Sequence, residues 1–241
     1  MNEIIDVNTL FGPLPYASSD LPVEALTTLM QQNGVSRSLT LSTLGMLMDS
    51  TVGNAITKAA CNELPHLLPV ATLNPLSFIG DTQPITRLKA DGFVMVRFFP
   101  DDQGWKVNSL SFLEIVRTLT ALQMPLMIAA SKPGDITSLL SALGDYPGSV
   151  VLAEVTVDAI AELLPALRRC PNWLVETSRL NSMGTLSLIS QTVGAERLLL
   201  GTTAPFRPIS GAVQTVRYSG LDESQVALVL GGNAQRILRL Q

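Results

Sequence analysis

Histidine is almost missing from this 241-residue sequence, where His66 is the only one. A metal centre built on two or more imidazoles is therefore excluded within the chain. Charge is sparse as well: Asp, Glu, Lys and Arg make up 15% of the residues, against roughly 25% in an ordinary soluble domain. Sixteen basic and twenty acidic residues leave a net charge of -4 with no basic block, so no nucleic-acid footprint is expected. Cys61 and Cys170 are too widely separated for a metal-ligand spacing and read as reduced, buried thiols of a cytoplasmic protein. The longest uncharged stretches, Leu64–Gly80, Leu180–Ala195 and Thr118–Ser131, fall short of the ~18 unbroken apolar residues of a spanning helix. The first ten residues, MNEIIDVNTL, carry acid where a signal peptide carries Lys or Arg. Neither membrane nor leader is expected.

What is present is an alternation of short aliphatic runs and longer helical patterns. Strands are predicted at Glu3–Val7, Ser38–Leu41, Leu67–Thr72, Phe93–Phe98, Leu126–Ala130, Val150–Glu154, Trp173–Thr177 and Arg197–Gly201. Most are continuous apolar runs, as parallel strands buried on both faces require. Helices are predicted at Leu21–Gln32, Val52–Leu64, Leu110–Leu122, Ile136–Leu143 and Val157–Arg168. Phe112, Leu113, Val116 and Leu119 return at helical spacing, Asp135 and Asp158 stand at expected helix starts, and Gly34 follows an expected helix end. About eight such β–α units in one chain fit a single (β/α)₈ TIM barrel over residues 1–241. The open-sheet competitor lacks its Gly-x-Gly-x-x-Gly turn, whose place is taken by Asn8-Thr-Leu-Phe-Gly12. Gly231-Gly-Asn reads as a turn between terminal helices, and Met46, Met48 and Met183 as packing residues.

Chemistry in a barrel sits at the C-terminal ends of the strands. The loop after the first strand, in Ile4-Ile-Asp-Val-Asn-Thr-Leu-Phe-Gly12, is the first place where the chain resembles a known family. The resemblance continues through Leu68-Pro-Val-Ala-Thr-Leu-Asn-Pro75, Asp91-Gly-Phe-Val-Met-Val-Arg-Phe-Phe-Pro100, Met124-Pro-Leu-Met-Ile128 and Tyr146-Pro-Gly-Ser-Val-Val-Leu-Ala153. It closes with Gly194-Ala-Glu-Arg-Leu-Leu-Leu-Gly201, Leu221-Asp-Glu-Ser-Gln and Gly232-Asn-Ala-Gln-Arg-Ile-Leu238. Together these segments resemble the amidohydrolase-related hydrolases, including their aminocarboxymuconate-semialdehyde-decarboxylase-like branch. The resemblance implies an amidohydrolase-like barrel with metal ligands at five positions, four of them histidine and one aspartate. The paired histidines after the first strand align with Asn8 and Leu10, those of strands five and six with Ala129 and Glu154, and the aspartate of strand eight with Thr203. Leu10 and Ala129 cannot donate, Asn8 and Thr203 are weak neutral oxygens, and Glu154 alone is a competent anionic ligand. No metal and no cofactor are expected.

The charged residues expected at the mouth are Arg97, Glu154 and Glu176 at strand ends, with Arg179 and Arg207 in adjoining loops. Neutral lining is expected from Asn8, Ser42, Thr43, Ser131, Ser178, Thr202 and Thr203. Glu154 and Glu176 end neighbouring strands about 4.8 Å apart, so they are the candidate acid–base pair. The competing arrangement is an ion pair of either glutamate with Arg97 that plugs the mouth. Asn8, Arg97, Arg179 and Thr203 are the candidate ligand-binding residues, with Arg97 offering its planar fork to a carboxylate. No Gly-x-Ser-x-Gly elbow occurs, and His66, before the third strand, falls on the wrong rim. The leading expectation is a degenerate barrel that performs no metal-dependent hydrolysis and serves as a small-molecule-binding or protein-interaction module. The alternative is a metal-independent hydrolase, lactonase or decarboxylase acting on a small carboxylated substrate through Arg97 and Glu154/Glu176. A third reading keeps metal hydrolysis through unusual ligands or ligands from a partner chain. Weakly polar helix faces such as Gly184–Ser190 suggest a homo-oligomer or a complex with an active relative.

Overall fold

A computed structural model describes residues 3–14 and 20–240. Met1 and Asn2, the start of the stretch read against a leader, lie outside them. Eight parallel strands follow one another in sequence order: β1 (Ile5–Phe11), β2 (Arg37–Ser42), β3 (Leu67–Thr72), β4 (Met95–Phe98), β5 (Leu126–Ala129), β6 (Val150–Ala153), β7 (Trp173–Glu176) and β8 (Leu198–Leu199). The sheet closes between its last and first strands. Val7 N–H donates to Leu200 O at 2.9 Å, Leu10 N–H to Ala204 O at 2.8 Å, and Thr203 N–H to Asn8 O at 2.8 Å. The fold is therefore the α/β (β/α)₈ barrel that the alternation of elements predicted.

Alternation along the strands sorts side chains into two cores. Ile5, Val7, Leu39, Leu41, Val70, Met95, Met127, Val151, Leu174 and Leu199 fill the barrel. The opposite faces, among them Val96, Phe98, Ile128, Val150, Leu152, Trp173 and Val175, pack against the helices. Phe98 sits edge-on to Phe112 with ring centroids 5.1 Å apart, tying β4 to the helix Leu110–Leu122 that was predicted with the same bounds. Arg97 lies between Met95 and Phe99, two interior residues, so its parity aims it into the barrel.

Several element boundaries differ from expectation for local reasons. β1 runs four residues further than predicted, because an extra residue between Asp6 and Thr9 forms a bulge opposite β2. That bulge resets the parity, so Val7 and Leu10 both face inward. β6 stops before Glu154, whose φ of 58° is left-handed, and β7 stops at Glu176. β8 is only two residues, since Ala195–Arg197 turn as a 3₁₀ segment first. The expected helix from Val157 begins as a 3₁₀ turn over Val157–Ala159 and becomes α-helical at Ile160–Arg169. Gly231-Gly-Asn is not a turn: Leu228–Gly232 form a π-helical stretch running straight into the helix Asn233–Leu238. A Cβ on Gly231 would fall on the carbonyl oxygen of Glu3, so the wide segment lets this helix touch the start of the barrel. Met48 and Met183 are exposed at 77% and 103%, which corrects their reading as packing residues. Cys61 and Cys170 are buried free thiols, with burial pushing Cys61 up to about 12.

Candidate functional site

The mouth is organised around Arg97, which is 3% exposed. Its Nη1 donates to Asn8 Oδ1 at 2.5 Å and its Nη2 to Glu154 Oε1 at 3.1 Å. The guanidinium carbon stands 4.4 Å from the centroid of the Phe99 ring, a cation–π contact that shields one face. Burial lowers the pKa of Arg97 from its ordinary value, opposed by the negative charges of Glu154, Glu176 and Asp102. Two donors, Arg97 Nε and Asn8 Nδ2, are buried here without a partner among the described residues.

Glu154 reaches Arg97 only because of its backbone. Interior position Ala153 precedes it, so a continued strand would turn Glu154 toward the helices. The left-handed conformation redirects it, at a cost of roughly 1–2 kcal/mol for a non-glycine residue. The Glu176 carboxylate stabilises that conformation: Oε1 accepts Glu154 N–H at 2.7 Å and Ser178 Oγ–H at 2.7 Å, and Oε2 accepts Ser178 N–H at 2.7 Å. Glu176 is fully buried, and desolvation raises its pKa against these hydrogen bonds. Across the mouth Thr203 is also left-handed, with φ 56°. Its N–H donates to Asn8 O, and its Oγ1 donates to Thr202 O at 2.6 Å.

A cavity of about 220 Å³ opens above Arg97, lined by Arg97, Arg179 and Arg207, by Asp102 and Glu154, and by Phe99 and Phe206 among others. Thr203 also lines it, whereas Asn8 lies beneath Arg97 and Glu176 lies behind Glu154. The structure thus brings Arg97, Glu154, Arg179 and Thr203 to one cavity and joins Asn8 and Glu176 to it through hydrogen bonds. The expected neutral lining is mostly engaged elsewhere. Ser42 caps the helix Thr43–Leu47, Thr43 Oγ1 donates to Pro13 O at 2.6 Å, Ser131 donates to Asp101, and Ser178 serves Glu176. His66 is half-buried, with Nε2 3.2 Å from Thr27 Oγ1 on the opposite rim.

Two acidic residues escaped sequence reasoning. Asp102, in the short helix Pro100–Gln103 that follows β4, faces the cavity, and its pKa is raised by burial and then by Glu154. Two adjacent aspartates immediately after a strand end were the available signal. Asp6 is fully buried between β1 and β8: Oδ1 accepts Asn8 N–H at 3.0 Å and Thr202 N–H at 3.1 Å, and Oδ2 accepts Thr202 Oγ–H at 2.5 Å. Burial pushes its pKa up to about 7. Among the described residues no group of three or more His, Cys, Asp or Glu side chains is arranged to hold a metal ion. No helix among them is long and apolar enough to cross a membrane. A larger groove of about 610 Å³ lies away from this mouth, between the helix Ser50–Glu63 and residues 73–93, and the Lys58–Asp91 ion pair borders it.

Among curated proteins none matches the chain by sequence. Solved structures resemble it in fold. The 5-carboxyvanillate decarboxylase from Sphingomonas paucimobilis superposes with a TM-score of 0.78 at 16% identity, covering 100% of both chains. A dihydroxybenzoic acid decarboxylase from Polaromonas sp. JS666, with bound manganese and 2-nitroresorcinol, gives 0.78 at 16% identity over 100% of this chain and 98% of its own. A probable 2-pyrone-4,6-dicarboxylic acid hydrolase from Acinetobacter baumannii, with citric acid bound, gives 0.72 at 16% identity over 100% of both chains. Identities this low carry the fold and nothing finer. The family model described as amidohydrolase, however, matches residues 17–240, the barrel after β1, and the chain belongs to the amidohydrolase family.

Proposed function

We propose that this chain is an amidohydrolase-fold protein that performs no metal-dependent hydrolysis and binds a small carboxylated molecule at the barrel mouth. The observation that carries the reading is the placement of Arg97: a buried guanidinium bonded to Asn8 and Glu154, two of the five positions where the family resemblance implies ligands. Of the other three, Leu10 and Ala129 hold no side-chain donor atom and Thr203 offers only a neutral hydroxyl, a weak ligand. A transition ion needs several N, S or carboxylate donors converging at about 2.0–2.3 Å, and a fixed cation among them repels it. The residues present do not fit such a metal.

Three arginines on one cavity of about 220 Å³, with two aromatic rings, suit a small anion better than a large or neutral one. Arg179 and Arg207 are half-exposed and have no side-chain ion pair among the described residues, while Arg97 is already engaged. The carboxylated ligand of the Acinetobacter neighbour, citrate, is of this class. Calorimetric titration with citrate and with 2,6-dihydroxybenzoate tests the reading. Saturable binding that weakens about 10- to 100-fold in Arg179→Gln or Arg207→Gln is expected from the loss of one charge-assisted pair. Absence of binding by both probes would sink it.

A second reading, metal-independent catalysis, is favoured by one observation: Glu154 and Asp102 share the cavity, with Glu154 contributing to the raised pKa of Asp102. Two carboxylic side chains on one cavity are the kind of groups that pass a proton to and from a bound substrate. Glu176 is less suited to such a role, because both of its oxygens are occupied by internal donors. Turnover of a small carboxylated lactone, lost in Glu154→Gln with folding intact, would establish catalysis here.

A further inference from the structure

We infer that the Arg97 guanidinium is the resident cation of this mouth, a tethered replacement for a divalent metal ion, and that removing it opens an oxygen-donor site for such an ion. The inference rests on the reading above that no metal works here, and it adds what keeps the metal out.

Oxygen-bearing groups surround Arg97 from within β1 and from the segments that follow β6 and β4. Asn8 Oδ1 comes from β1, Glu154 Oε1 follows β6, and the Asp102 carboxylate, after β4, faces the same cavity. Neutral amide and carboxylate oxygens are the ligands hard divalent cations prefer. The same groups satisfy a guanidinium, which keeps its charge at any working pH and spreads it over planar donors. Covalent attachment makes that cation permanent, since Arg97 is 3% exposed and seated against Phe99. Truncation would take the buried cation away from Glu154 and Asp102 and leave only Arg179 and Arg207, half-exposed on the same cavity, to offset them; uptake of a cation replaces the buried charge that is lost.

The experiment measures free Mn²⁺ by electron paramagnetic resonance during titration of the native chain, Arg97→Ala, Arg97→Gln and the double variant Arg97→Gln/Glu154→Gln. The native chain is expected to take up no Mn²⁺. The two single variants should acquire one site with a dissociation constant on the order of 10⁻⁴–10⁻³ M, the range of weak carboxylate sites. The double variant should bind at least about tenfold more weakly, a loss of about 1.4 kcal/mol. Stoichiometric Mn²⁺ uptake by the native chain overturns the inference, as does a folded Arg97 variant that binds none or a gained site indifferent to Glu154. A native chain that binds neither citrate nor 2,6-dihydroxybenzoate refutes the proposed function without touching this result.

Discussion

The Glu176 carboxylate holds the backbone of Glu154, its Oε1 accepting Glu154 N–H at 2.7 Å, and so fixes the residue that pairs with Arg97. A buried carboxylate at the end of one strand thus sets the conformation at the end of the next. Glu176→Gln removes one acceptor and turns an amide donor toward another donor, because Ser178 N–H points at one oxygen and Glu154 N–H and Ser178 Oγ–H at the other. Urea unfolding should report a loss of about 1–3 kcal/mol, the cost of leaving a buried donor unpaired. A variant as stable as the native protein would mean that Glu176 is a bystander.

Gly201 leaves the room that Glu176 uses. A Cβ at position 201 would fall on Glu176 Oε2 and lie 2.9 Å from Cδ. Because that carboxylate is pinned by three donors, it cannot swing aside as a free side chain would. Gly201→Ala should cost about 1–3 kcal/mol by overpacking. In a Glu176→Ala background the same change should cost much less, and the non-additivity in a double-mutant cycle measures the contact.

Asp6 makes stability depend on pH in a direction opposite to ordinary paired carboxylates. Its pKa is raised from 3.8 to about 7 because it is buried between β1 and β8. A raised pKa means that the folded protein holds the proton more tightly than the unfolded chain. The associated stability is fully present below about pH 3.8 and is lost progressively as pH rises to about 7. Its size is on the order of 4 kcal/mol for a shift of this magnitude. Asp6→Asn keeps an oxygen for Asn8 N–H and Thr202 N–H and puts a neutral amide beside Thr202 Oγ1. Relative to Asp6→Asn, the native protein should therefore weaken steadily between pH 4 and pH 7 in chemical denaturation (roughly the interval bounded by the two pKa values). Parallel stability curves for the two proteins would refute this.

The barrel was legible because its signal is redundant. Eight aliphatic runs need only be recognised as buried on both faces, and errors of a few residues at Ile5, Met95 or Leu198 leave the order unchanged. Arg97 was legible for a related reason, since one charge inside an apolar run such as Val94-Met-Val-Arg-Phe-Phe99 must face something polar. An ion pair of Arg97 with one of the two glutamates is expected from the sequence, and Glu154 forms it; which glutamate it is was not legible. Glu154 was assigned to a strand, and a straight strand would have aimed it away from Arg97. Its left-handed backbone depends on Glu176, 22 residues downstream, and no local propensity encodes that dependence. Asp6 carries no local signal, because its burial arises from barrel closure against Thr202, nearly the full chain length away. The bulge in β1 has the same character: it appears only in the register with β2.

The most direct test of the account is a calorimetric titration of 2,6-dihydroxybenzoate into the native protein, performed once with excess EDTA and once with added Mn²⁺. A mouth whose cations are Arg97, Arg179 and Arg207 predicts saturable binding with the same affinity in both. Binding that vanishes with EDTA and returns with Mn²⁺ would place a metal ion at the centre of this site and contradict the account.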